Sequence, residues 1–246
     1  MQRVDRLAAY EEFKNEIELA RMLASAEIDE NIVVSQIDKI TNWGVFLNEV
    51  FKNKIAPLVA YHLEQYKLFD KVPRYVYRVL RTYRYYHKMK AKAYFDTIQD
   101  IAQMLEKAQI EYVFMKGFDI INKLYAHKSP YIREFNDIDI LVLEEDLTKV
   151  ERLFIDQGYV FGHYNEQEDR IVKASRFDII RMRMDSHQIE TLVKRVTYDE
   201  SEEIIGPIYI DVNFTIFDGG KNKSPISTKE LLSNRVKIQS FNNVEY

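Results

Sequence analysis

The chain has 246 residues, 46% of them apolar and 13% aromatic, enough to bury a sizeable core in one large domain or two modest ones. A net charge of −4 creates no whole-molecule field toward nucleic acid or an anionic membrane, and the lack of cysteine excludes disulfides and thiolate metal sites. The N-terminal stretch is charged throughout, and no apolar run approaches the ~18 residues of a membrane span, so a cytoplasmic protein is expected.

Six of the seven glycines lie at or after Gly117, and only Gly44 precedes it. Helices tolerate glycine poorly. The skew predicts a helical region over 1–109 and a mixed α/β core over 110–246, an α+β protein. Trp43, Phe46, Leu47, Val50 and Phe51 recur at helical spacing and predict an amphipathic helix. Pro73 starts a second helix, expected to run to about Tyr94, and 95–110 predicts a third. "EYVFMK" then reads as a strand ended by Gly117, "FDIINKLYAH" as a helix, and the stretch around Pro130 as a loop.

"DIDILVL" predicts a strand, and 144–158 a helix with Leu147, Val150, Leu153 and Phe154 on one face and Gly158 as its stop. Between 159 and 217 only two strands are legible, near "QIETLVK" and "PIYIDVNFTIF". Ser227 and Glu230 suit a capping box for a last short helix. The chain stops at "SFNNVEY", which reads as the middle of a hairpin and suggests either a truncated chain or a naturally short one.

Within "REFNDIDILV", Asp137 and Asp139 interrupt an apolar strand. Side chains alternate along a strand, so both point one way, about 7 Å apart, while Ile138 and Ile140 point into a core. Two carboxylates on one face raise each other's pKa, and a divalent cation relieves that repulsion. Mg²⁺ takes carboxylates together with phosphate oxygens. Asp211, the one acid of "IYIDVNF", supplies a third ligand from a neighbouring strand, so that Asp137, Asp139 and Asp211 would form a catalytic and metal-binding triad for displacement at phosphorus. Each feature also has a bland reading, as a solvated strand end or an exposed edge residue.

Upstream, "FMKGF" places Lys116 and Gly117 where a strand turns into a helix, a setting in which backbone amides and a lysine receive phosphate. Arg133 lies four residues before Asp137, within reach of the same anion.

From Pro73 to Phe95 there is no acid. Arg74, Arg78, Arg81, Arg84, Lys88 and Lys92 fall within about 120° of a helical wheel, opposite Val76, Val79, Leu80, Tyr83 and Tyr86. This face is either a solvated surface over an ordinary core, a wall of a nucleotide cleft, or a track for a polyanion such as RNA. The five histidines show no zinc spacing.

Strand, "FMKG", "KLY", then "IREFNDIDILV" resembles the uncharacterised nucleotidyltransferase family of bacteria, within the polymerase-beta-type nucleotidyltransferase superfamily. "IAPLVAYHL", "DKVP", "LEKAQIEYVFMKG", Gly158-Tyr159 and "YIDVNF" extend the resemblance over about residues 40 to 217. It implies a mixed-sheet nucleotidyltransferase core behind a helical region, Mg²⁺ or Mn²⁺, and an NTP donor. By residue, it implies metal binding by Asp137 and Asp139, a third carboxylate at Asp211, and phosphate contact by Lys116, Gly117 and Arg133. Phe118 stands where the wider superfamily has serine or glycine, and Asn213-Phe214 where the family has His-Trp.

The expected function is NMP transfer from an NTP to an acceptor with release of pyrophosphate. The acceptor is open: a small molecule, a peptide, a protein or RNA. The alternative is a catalytically silent nucleotide-binding or partner-binding protein on the same fold.

Overall fold

The computed structural model describes residues 11–25, 27–121, 129, 131–134, 136–201, 203–216 and 226–236, without the side chains of residues 118 and 119. Most of the helix expected after Gly117, including "KLY", and the expected C-terminal hairpin lie outside the described residues.

The chain divides into two compact units, Met1–Lys88 with Tyr131–Glu134, and Met89–Pro130 with Phe135–Tyr246. In the first, α1 (Lys14–Leu23), α2 (Glu30–Ile37), α3 (Trp43–Lys52), α4 (Ala56–Gln65) and the start of α5 (Arg74–Lys107) surround one core. Leu19, Leu23, Val33, Phe46, Val50, Val59, Leu63, Val76 and Leu80 fill it. Asp29 and Asn42 cap α2 and α3 by accepting amide hydrogen bonds at the helix starts.

Two buried polar groups tie this core together. Glu16 is 1% exposed, and its Oε1 accepts from the Thr41 amide at 3.0 Å, the Thr41 hydroxyl at 3.1 Å and the Asn42 amide at 2.9 Å. Burial works against its ionised form, yet these donors win and hold the carboxyl below its ordinary value. His62 Nδ1 donates to the Leu23 carbonyl at 2.8 Å, satisfying the end of α1.

The two helices expected over 73–110 are one helix, α5, of 34 residues. No glycine or proline interrupts it, and it stops at Gln109, whose φ of 56° is left-handed. The boundary expected near 110 falls at the end of this helix, whereas the compact units divide inside it, between Lys88 and Met89. No described helix is long and apolar enough to cross a membrane.

The basic stripe on α5 is partly neutralised. Arg84 pairs with Glu64, Lys92 with Asp96, and Arg81 lies over the rings of Tyr77 and Tyr85. Tyr83 donates to Glu134 at 2.7 Å, and Val76 and Leu80 are fully buried.

The second unit carries a six-stranded mixed sheet in the order β1-β2-β6-β5-β3-β4. Its strands are β1 (Tyr112–Phe114), β2 (Asp137–Val142), β3 (Val160–Asn165), β4 (Arg170–Lys173), β5 (Leu192–Thr197) and β6 (Ile205–Asn213). Only β2 and β6 pair in parallel; all other neighbours are antiparallel. The short α6 (Gly117–Ile120) follows β1, and α7 (Leu147–Asp156) follows β2, burying Leu147, Val150 and Phe154 as the pattern predicts. Gly158 stops it at a φ of 87°. Ser227 caps α9 (Thr228–Ser233) by accepting from the Glu230 amide at 3.1 Å.

The β3–β4 hairpin and α8 (Arg176–Asp185) went unread in the sequence. None of the residues of α8 is buried, so no apolar stripe marks it; Phe177, Ile180 and Met184 face solvent.

Candidate active site

The site grows from the pairing of β2 with β6. Their parallel register sets Asp137 opposite Tyr209, Ile138 opposite Ile210, and Asp139 opposite Asp211. Paired residues share a sheet face, so Asp137, Asp139 and Asp211 all project from one side. Ile138, Ile140, Ile210 and Val212 project from the other and are at most 3% exposed. Their burial holds both strands in register, since a slip of one residue would drive the carboxylates into the core.

Depth differs among the three acids. Asp137 is exposed at the strand entrance, Asp139 is 5% exposed, and Asp211 is half-buried. The entrance is pinned from α5: Tyr94 donates its hydroxyl to the Asn136 carbonyl at 2.6 Å, and Lys90 donates to Asn136 Oδ1 at 2.8 Å. Tyr94 is 1% exposed, and burial raises its pKa above the usual tyrosine value.

Lys116 closes the arrangement. The Met115 amide extends the β1–β2 ladder by donating to the Asp139 carbonyl at 2.9 Å. The next residue, Lys116, turns the chain with a φ of 51°, and its carbonyl accepts the first bond of α6 from Ile120. The left-handed residue of this turn is thus the lysine, with Gly117 opening the helix. The Lys116 ammonium donates to Asp139 Oδ1 at 2.5 Å. Partial desolvation works against its charge, but the Asp139 bond and the fields of Asp139, Asp211 and Asp137 outweigh it and raise its pKa.

Asp211 is raised as well, which for a carboxyl favours the neutral form. Burial raises its carboxyl above the ordinary value, the Thr191 hydroxyl lowers it by donating to Oδ1 at 2.7 Å, and Asp137 and Asp139 raise it again. Glu190 belongs to the same electrostatic field. Burial and Asp178 raise its carboxyl, Arg181 opposes, and Asp211 adds to the rise against His163. Thr191 and Glu190 were not singled out in the sequence.

Among the described residues no set of three His, Cys, Asp or Glu side chains stands close enough to ligate one ion. The cation beside Asp139 is the Lys116 ammonium. The donor chemistry would suit a hard divalent cation, because the candidate groups are carboxylate oxygens, and Asp211, raised first by burial, is raised further by Asp137 and Asp139. Arg133 lies in the first unit, where its carbonyl accepts from His87 Nε2 at 3.0 Å.

No curated protein and no solved structure matches the chain. A family model described as "Uncharacterised nucleotidyltransferase" matches residues 39–245, most of the chain and all six strands of the sheet. With this match over a mixed sheet that sets Asp139 against Asp211, the chain belongs to the uncharacterised nucleotidyltransferase family.

Proposed function

We propose that the protein transfers NMP from an NTP to a hydroxyl or phosphate acceptor, with Mg²⁺ held by Asp137, Asp139 and Asp211 once their side chains close on the ion. The observation that supports this reading is the parallel register of Asp139 with Asp211, which gathers three acids on one face beside Lys116. A bound divalent ion would supply Lewis-acid stabilisation of the phosphates and of the attacking oxygen. The three carboxylates orient the triphosphate by fixing where that charge sits. Lys116, released from Asp139, offers its ammonium to the phosphate oxygens, beside the phosphate contact at Gly117 that the family resemblance implies. The acceptor oxygen bonds to the α-phosphorus as the bond to the α,β-bridging oxygen breaks, and pyrophosphate leaves. The side chains contribute positioning and fixed electrostatics.

The test uses NTPs labelled at the α-phosphate, Mg²⁺ and a cell extract as the acceptor pool. Label transfer with pyrophosphate release, lost in Asp139→Asn, is the expected result. Mg²⁺-dependent NTP binding with no transfer to any acceptor would instead identify a catalytically silent nucleotide-binding protein.

A further inference from the structure

The segment that leads into β5 does not pair evenly with β6. On one side Leu192 is opposite Ile210. On the other, Gln188 bridges Asn213, and the Ile189 amide donates to the Val212 carbonyl at 3.0 Å. Between these points three residues, Ile189, Glu190 and Thr191, stand against two, Asp211 and Val212. One extra residue against a continuous partner is a β-bulge, a device that re-aims side chains.

Its effect on the faces is direct. Ile189 is 1% exposed and Leu192 is fully buried, three positions apart where an even strand would place such a pair two apart. Thr191 keeps the even pairing of Leu192 with Ile210 and so stands opposite Asp211 on the carboxylate face, while the extra residue falls at Ile189 and Glu190, against Val212. Thr191 Oγ1 donates to Asp211 Oδ1 at 2.7 Å, and Glu190 enters the field of Asp211. The Thr191 carbonyl accepts from the Gly162 amide of β3 at 3.0 Å, continuing the pairing of Phe161 with Leu192 and holding Thr191 from its other edge. A threonine is stiff about χ1, so a hydroxyl held this way aims one lone pair of the carboxylate and sets its rotation.

We propose that Thr191 is a positioning residue for the third carboxylate: its place opposite Asp211 in the even register holds its hydroxyl on Asp211 Oδ1, which would leave Oδ2 to face the divalent cation. This rests on the metal-dependent reading above. Outer-shell partners of ligating carboxylates orient the ligand and tune its affinity.

The experiment measures Mn²⁺ binding to the full chain in the presence of a non-hydrolysable α,β-methylene NTP, by electron paramagnetic resonance. Thr191→Val and Thr191→Ala are each expected to weaken Mn²⁺ binding by about 10-fold or more, the effect of losing an outer-shell partner. Thr191→Ser, which keeps the hydroxyl, is expected to stay near the parent. Asp211→Asn marks the effect of losing the carboxylate. If the folded Val or Ala variant binds Mn²⁺ like the parent while Asp211→Asn does not, the positioning role is overturned and the metal reading stands. If Thr191→Ser loses as much as Thr191→Val, the hydroxyl is not the operative group, and the proposal is again overturned. A parent chain that binds no Mn²⁺ overturns the metal reading and the proposal with it.

Discussion

Lys116 and Asp139 form the closest charge pair of the candidate site, with the ammonium 2.5 Å from Oδ1. The carboxylate is 4% exposed at its side chain and the lysine 58%, so the buried partner is fixed and the mobile one reaches in from solvent. This asymmetry suits a lysine that exchanges its carboxylate for phosphate when a nucleotide arrives. Lys116→Ala is expected to raise KM for the NTP more than it lowers kcat, measured by pyrophosphate release. Lys116→Gly should share that defect yet exceed Lys116→Ala in stability by about 1 kcal/mol, because glycine adopts the left-handed φ of 51° without strain. Chemical denaturation of the two variants checks the difference.

Asp137 lies at the exposed mouth of β2, ahead of five buried residues. Asp137→Asn removes charge without touching the core. Circular dichroism and the melting temperature should stay at the parent values while Mg²⁺-dependent turnover is lost. Turnover retained in this variant would remove Asp137 from the triad.

The raised carboxyl of Asp211 makes a stability prediction with a definite sign. Its pKa in the folded chain is above that of the unfolded chain, so the folded state binds the proton more tightly. Below the unfolded value both states are protonated and the group costs nothing. As pH rises from the unfolded to the folded pKa, the unfolded state ionises first and stability falls; above both the cost is complete. Asp211→Asn should therefore raise Tm by a few degrees at pH 7, with the gain vanishing in strong acid, while activity is lost. Calorimetric scans across pH read this.

Glu16 has the opposite sign. Its folded pKa is lowered, so its contribution is present above the unfolded value and is lost as pH falls through the folded one. Replacing it by alanine strands two backbone amides and the Thr41 hydroxyl. The expected loss is about 2 kcal/mol or more at pH 7, since buried donors left unpaired cost about 1–3 kcal/mol each. The deficit should shrink in acid, and urea unfolding at two pH values tests it.

Much of the second unit was legible because its signals are local. "DIDILV" declares a strand by composition, its acids share a face through the two-residue period, and the stripe and glycine of α7 mark both its packing and its end. Where the local signal is weak, the reading stopped. The residues of α8 bury nothing, and the β3–β4 hairpin alternates too little to announce itself. The unbroken α5 reads as two helices in the sequence, although nothing in the backbone chemistry of that segment requires a break.

The sequence by itself determined which residue types were on offer: two acids one strand period apart, a third in another strand, and a lysine before a glycine. What only the tertiary structure decided is which partners meet. Asp139 faces Asp211 because β2 and β6 run parallel in one register, fixed by isoleucines and a valine buried on the opposite face. Thr191 reaches Asp211 because it continues the antiparallel register that sets Leu192 opposite Ile210. Register and strand order are set by burial summed over the whole sheet, and no window of local sequence contains that sum.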